Sequence, residues 1–267
     1  DSFENMIGQE TAVAALRTAI TAPLPAYLFV GPTGCGLRTA ATGLAAELLA
    51  RDSEDPDRDR RLALAEEHPD FILFERHGPA LTTEEAREIV RVSMTSPYEG
   101  NRKVIFVEDI DLAQGSAPMI LKLLEEPPDS THFILTAQHV PPELATIASR
   151  CTTIEFNAIN RQELLKLLIS SGLGHEHSSV VATAANGSVD RAMLLAADQT
   201  ALDRWNAWSC LPTDLDGTGS TASAAADKLL AMIDNAAGPL QERHERERED
   251  LNKRAEELGE RGLGRRG

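Results

Sequence analysis

The amino-acid sequence predicts an α/β fold, a five-stranded parallel sheet flanked by helices, followed by a small all-helical domain. Three observations carry that prediction. Five short apolar runs rich in branched and aromatic residues fall within the first 160 positions, helix-like stretches separate them, and from Arg161 onward the strand pattern gives way to helical spacing.

The predicted strands are residues 27–30, 71–74, 104–107, 133–135 and 153–156. Their apolar residues run continuously, the mark of strands buried on both faces in a parallel sheet. Between them, residues 41–50 have a helical pattern, and Thr82 with Glu85 three positions on has the spacing of a capping box. The stretch 116–126 has Pro118 near its start and stops at Pro127 and Pro128, where a missing N–H and ring clash end a helix. Leu164, Leu165, Leu167 and Leu168 open a purely helical pattern that continues through 191–197. Residues 211–223, rich in Pro, Gly, Ser and Thr, read as a linker, and 224–235 as a further helix. Trp205 and Trp208, three apart, predict a face packed on a neighbouring helix. The expected domains are 1–160, 161–210 and 211–267.

At 267 residues, 42% of them apolar, the chain can bury a sizeable core in more than one folded unit, which excludes a disordered polymer. Its formal charge of -16, from 26 basic and 42 acidic side chains, has the wrong sign for a protein whose whole surface embraces nucleic acid. Any DNA contact must be local. Residues 241–267 hold eight acidic and eight basic side chains, so the entire excess lies in 1–240. With no apolar run near the ~20 residues a bilayer span needs and no signal-peptide pattern, a soluble cytoplasmic protein without membrane partners is expected. The chain starts at Asp1 and stops inside a charged run, and it reads as a trimmed piece. Cys35, Cys151 and Cys210 are odd in number and far apart, which leaves neither a disulfide framework nor a Cys-x-x-Cys metal site. His175 and His177, with no Cys or third His nearby, read as solvated.

Directly after the first strand comes Gly31-Pro-Thr-Gly34-Cys-Gly36, with a helical pattern just beyond. Backbone N–H groups and the positive end of a helix in such a loop cradle phosphates. The full phosphate-loop signature continues with Lys, to neutralise the outer phosphates, and Ser or Thr, to hold magnesium. Here those positions are Leu37 and Arg38; Arg38 and Thr39 would serve one step late, turned by roughly 100° on the helix. The third strand runs into Glu108 and Asp109, at the sheet end where metal and water are managed in such sites. The order is Glu-Asp where a hydrolysing site reads Asp-Glu, so both reaches are altered; the same residues could equally cap the next helix. Before the fifth strand stands Ser149-Arg150-Cys151, where an arginine can extend toward a phosphate held by a neighbouring subunit.

Together these residues resemble the clamp-loader branch of the AAA+ ATPases, and within it the delta-prime type of bacterial DNA polymerase III. The likeness runs from Phe3 and Ile7-Gly8-Gln9, through the loop and Val107-Glu-Asp, to Leu121-Lys-Leu-Leu-Glu-Glu-Pro-Pro128 and Ala148-Ser-Arg-Cys151. It covers 1 to about 205. The resemblance implies an AAA+ sheet domain, a helical lid, and the start of a helical collar from about Ala201. It implies a non-hydrolysing subunit of a DNA-directed DNA polymerase (nucleotidyltransferase) holoenzyme, with no activity of its own, that helps load a sliding clamp onto primed DNA. Its partners would be a motor subunit of gamma/tau type and a clamp-opening delta subunit. Arg150 would be an arginine finger acting in trans, flanked by Ser149 and Cys151. Gly31, Gly34, Gly36, Arg38 and Thr39 would form a degenerate nucleotide loop beside a degenerate acidic pair, Glu108 and Asp109.

Weak residual ATP or ADP binding is the most that loop is expected to support. The family's zinc-binding cysteines are absent from the segment 52–57, so no zinc is expected. Near Asn186-Gly-Ser-Val-Asp190-Arg191, Asp190 stands where motor relatives carry a phosphate-sensing arginine. With the collar cut short, ring assembly by this chain is not expected. The alternatives are an ATP-hydrolysing motor subunit and an inactive AAA+ scaffold outside replication.

Overall fold

A computed structural model describes residues 2–236 except 5, 76, 77, 79 and 114; the charged stretch 241–267 lies outside the described residues. The chain divides into two compact units, Asp1–Met193 and Leu194–Gly267. The expected helical domain 161–210 thus has residues on both sides of the division.

In the first unit the order is α1 (Glu10–Thr21), β1 (Ala26–Val30), α2 (Leu37–Ala50), α3 (Pro56–Leu64), β2 (Phe71–Phe74), α4 (Thr83–Ser93) and β3 (Lys103–Val107). Then follow α5 (Ala117–Glu125), β4 (Thr131–Ala137), α6 (Ala145–Ala148), β5 (Thr152–Glu155), α7 (Arg161–Ser170) and α8 (His175–Ala185). Helix α9 (Val189–Ala197) spans the division. The five strands form one sheet in the order β2-β3-β4-β1-β5, and every pairing is parallel. Each predicted strand is present, with ends shifted by two residues at most.

Burial on both faces explains the unbroken apolar runs. Tyr27, Phe29, Val104 and Phe106 point into a core shared with α1 and α2, while Leu28, Ile105 and Val107 point into a second core shared with α4 and α5. Each such side chain contributes roughly 1.5–3 kcal/mol when fully buried. The Thr82–Glu85 capping box forms as predicted: Glu85 N donates to Thr82 Oγ1 and Thr82 N donates to Glu85 Oε2.

One buried charge shapes the lower edge of the sheet. Lys103, 1% exposed, donates from Nζ to Val92 O at 2.6 Å, Thr95 O at 2.5 Å and Thr95 Oγ1 at 2.8 Å. The ammonium thereby closes the negative C-terminal end of α4. Buried Asp70 accepts from the backbone N–H groups of Tyr98, Glu99 and Gly100 and fixes the turn into β3.

In the second unit, two expectations change. The linker 211–223 shrinks to 215–218, because α10 (Gln199–Asp214) continues through Pro212 and a helix runs over 219–236. Proline near the end of α10 removes one backbone bond while its fixed φ stays helical. The Ser and Thr residues that looked like linker cap the next helix: Asp216 Oδ1 accepts from Thr218 N and Thr221 Oγ1, which lowers the Asp216 carboxyl to about 2. Trp205 is half-buried, but Trp208 is 53% exposed.

Candidate functional site

The loop between β1 and α2 has the backbone of a phosphate loop. Gly34 and Gly36 take left-handed φ values of +79° and +101°, and α2 begins at once at Leu37. A side chain on Gly31 would meet Phe156 and Cys35 Sγ within 3 Å, so glycine there is required by close packing. Gly34, Gly36, Arg38, Thr39, Glu108 and Asp109 line a single cavity of about 680 Å³, a size that suits a nucleotide. Asp190 lines the same cavity as the loop and the acidic pair; Arg191 is exposed and does not line it.

The chemistry inside that cavity differs from a hydrolysing site. Leu37 brings no charge where the lysine would stand. Arg38 Nη2 reaches Glu66 Oε2 at 2.5 Å and Glu75 Oε1 at 2.6 Å, and Nη1 reaches Glu108 Oε1 at 3.2 Å. The guanidinium is thus held firmly protonated, chiefly by its hydrogen bond with Glu66, and the same bond holds the Glu66 carboxyl below its usual range. Among the described lining residues Arg38 is the only base, against Glu66, Glu108, Asp109 and Asp190. That cation is occupied by carboxylates, and the described lining residues carry net negative charge.

The far side of the loop is closed as well. Val189 N donates to Gly34 O at 2.8 Å, and a Cβ on Gly34 would lie 1.9 Å from Ser188 Oγ. Gln9 ties the segment before α1 to the loop and to the end of β5, donating to Cys35 O and Asn157 O and accepting from Asn157 N. Burial pushes the Cys35 thiol up to about 11. The lysine and the hydroxyl of the full signature are therefore absent at positions 37 and 38 and Arg38 is engaged by carboxylates, which leaves Thr39 as a lining hydroxyl and a poor fit for magnesium and a triphosphate. In the segment 52–57, Asp55 caps α3 and Ser53 donates to Asp59 Oδ2 at 2.5 Å; buried His68, further along, lies 3.5 Å from Asp59.

Ser149, Arg150 and Cys151 lie apart from this cavity and none of them lines it. They form the turn between α6 and β5. Arg150 Nη2 donates to Glu125 Oε1 at 2.6 Å, and Nη1 donates to Thr146 O at 3.0 Å and Ser149 Oγ at 3.2 Å. Cys151 packs against the second core, and burial pushes its thiol up to about 12. Glu66, Glu75 and Glu125 were missed by sequence reasoning. Glu75 carried a signal, standing directly after β2 as Glu108 stands after β3, and Glu125 lay within the quoted segment 121–128 without its partner being legible.

A family model described as "DNA polymerase III, delta subunit" matches residues 8–160, more than half of the chain. The chain belongs to this clamp-loader family. Relatives within the family's reach include a "DNA polymerase III subunit gamma" from Buchnera aphidicola, 29% identical over 72% of this chain and 57% of that protein. The Escherichia coli "DNA polymerase III subunit tau" is 27% identical over 88% of this chain and 36% of its own length. A Pseudomonas aeruginosa "DNA polymerase III subunit delta'" is 31% identical over 47% of this chain and 41% of its own. The chain therefore spans between about a third and three fifths of the curated relatives it matches first. Among solved structures, a gamma subunit-related protein from Thermotoga maritima matches with a TM-score of 0.53 at 17% identity, covering 84% of this chain and 77% of that one. A RuvB variant from the same organism matches with a TM-score of 0.51 at 19% identity over 72% and 61%. At these identities the structures speak for the fold alone, a parallel sheet flanked by helices. Among the described residues no helix is long and apolar enough to cross a membrane, and no group of three or more His, Cys, Asp or Glu could hold a metal ion.

Proposed function

We propose that this chain is a non-hydrolysing clamp-loader subunit of the delta-prime type. In a cytoplasmic DNA polymerase III assembly it would help load the sliding clamp onto primed DNA, beside a delta subunit. It would offer Arg150 to the nucleotide held by an adjacent gamma/tau-type motor subunit. One observation carries the reading: Leu37 and Arg38 stand where the lysine and hydroxyl of a working loop belong, and Arg38 is bound by Glu66, Glu75 and Glu108. An incoming triphosphate would meet carboxylates in place of a free cation. The net charge of -16 agrees with a subunit that acts through protein neighbours, since tight duplex binding needs clustered bases.

A motor-subunit reading has one observation in its favour: relatives named gamma and tau align over 72% and 88% of this chain, against 47% for the delta-prime relative from Pseudomonas aeruginosa. The loop residues weigh against it, because a motor must neutralise phosphate charge that this cavity repels.

The test is a clamp loader reconstituted with Arg150→Ala in this chain after a complete helical collar has been restored to it. DNA-stimulated ATP turnover should fall substantially, since arginine fingers contribute ~10³ to 10⁵ in rate where measured, diluted here by the other sites of the ring. Turnover equal to wild type would sink the finger assignment.

A further inference from the structure

We infer that Glu125 is a positioning residue for Arg150, holding its guanidinium in place before a neighbouring subunit's phosphate arrives; this rests on the reading of Arg150 given above. Glu125 closes α5, where the negative end of the helix dipole disfavours a carboxylate. Local helix preference does not account for it. What compensates is the guanidinium 2.6 Å away, on the turn after α6, the helix that packs against α5. Pro127 and Pro128 end α5 directly beyond, so the carboxylate cannot slide along a continuing helix.

The geometry suits presentation of the arginine. Its side chain is 32% exposed, neither buried nor free. Nη1 is used by Thr146 O and Ser149 Oγ, and one Nη2 hydrogen by Glu125. Nε–H and the second Nη2 hydrogen have no acceptor among the described residues. An arginine has many rotamers, and a planar fork fixed in advance loses less freedom when it meets an oxyanion. The contact also joins two segments far apart in sequence, 121–128 and 148–151, through one ion pair.

The experiment is a double-mutant cycle in the reconstituted clamp loader, with DNA-stimulated kcat and KM for ATP measured for Glu125→Ala, Glu125→Gln, Arg150→Ala and the Glu125→Ala, Arg150→Ala pair. Co-elution of the complex checks assembly. A misplaced catalytic group costs about 10²-fold at its own site, so Glu125→Ala should remove most of the turnover that Arg150→Ala removes, with KM little changed. Glu125→Gln keeps an acceptor and the same shape and should fall between; it also keeps the test alive if the alanine variant assembles poorly. The pair should turn over no more slowly than Arg150→Ala alone. Wild-type turnover by Glu125→Ala overturns the inference, and so does a further fall in the pair. Faster turnover would make Glu125 a latch and also overturn it. If Arg150→Ala itself keeps wild-type turnover, the finger reading fails and takes this inference with it, which separates the two failures.

Discussion

Replacing Arg38 with Gln removes the cation that three carboxylates share, and the structure sets the size of the effect. The Arg38 side chain is 42% exposed, with Glu66, Glu75 and Glu108 at 30%, 42% and 21%. At such exposure each pair contributes ~0.2–1 kcal/mol, far below a buried pair, so three on one guanidinium give about 1–2 kcal/mol. Urea unfolding followed by far-UV circular dichroism at pH 7 and low salt should show that loss as a lower midpoint with an unchanged slope. About 0.5 M salt should shrink it, because partly exposed charges are screened. The pH dependence has a defined sign. The Glu66 carboxyl is lowered chiefly by its bond from Arg38, so its stabilisation is present above the unfolded value of about 4.3. It is lost as pH falls through the lower folded value. The gap between wild type and Arg38→Gln should therefore be full at neutral pH and close in acid. A variant as stable as wild type at pH 7, or more stable, would refute the idea that this ion cluster is a fixed part of the fold.

Two other perturbations follow from buried groups. Lys103→Met leaves the carbonyls of Val92 and Thr95 without their donor and should cost about 2–4 kcal/mol in the same unfolding assay; a loss below 1 kcal/mol would show that water replaces the ammonium. His132 is buried, with Nδ1 2.9 Å from Leu24 O and Nε2 3.1 Å from Arg102 Nη1, an arrangement that fits a neutral ring carrying its proton on Nδ1. Burial, its largest cause, lowers the His132 value. Its stabilisation is present above the unfolded value of about 6.5 and is lost as pH falls through the folded one. Proton NMR titration of this ring should give a midpoint below 6.5, and a midpoint above it would contradict the burial argument.

The sheet was legible because its strands are buried on both faces and need no polar alternation. Strand ends were harder to read, since they carry polar residues satisfied by specific bonds. Lys103 begins β3, and β4 extends through Thr131, His132 and Thr136, where Thr131 Oγ1 donates to Ser93 O and Thr136 Oγ1 accepts from Asp109 N. Hydrophobic spacing cannot register residues whose burial depends on a partner elsewhere in the chain. The linker was overestimated at 211–223, of which 215–218 connects the two helices, for a related reason: Ser and Thr favour loops and helix caps alike, and Asp216 decides for a cap.

At the site, the loop and the acidic strand end could be read because both are local in sequence. The identity of Arg38's partners could not, since Glu66 and Glu75 lie 28 and 37 residues away along the chain. Glu125 and Arg150, separated by 25 residues, were each within a recognised segment, yet nothing in either segment announces that they touch. Long-range pairing of charges is set by how the helices pack around the sheet, which the residue pattern specifies only collectively.

Under the proposed function, the cavity beside α2 does not hydrolyse nucleotide. Its most direct test is ATP turnover by the purified chain with magnesium, with and without primed DNA. The acidic lining and the engaged Arg38 predict a rate indistinguishable from the protein-free blank. A steady turnover that scales with protein concentration would contradict the account and make this chain a motor subunit.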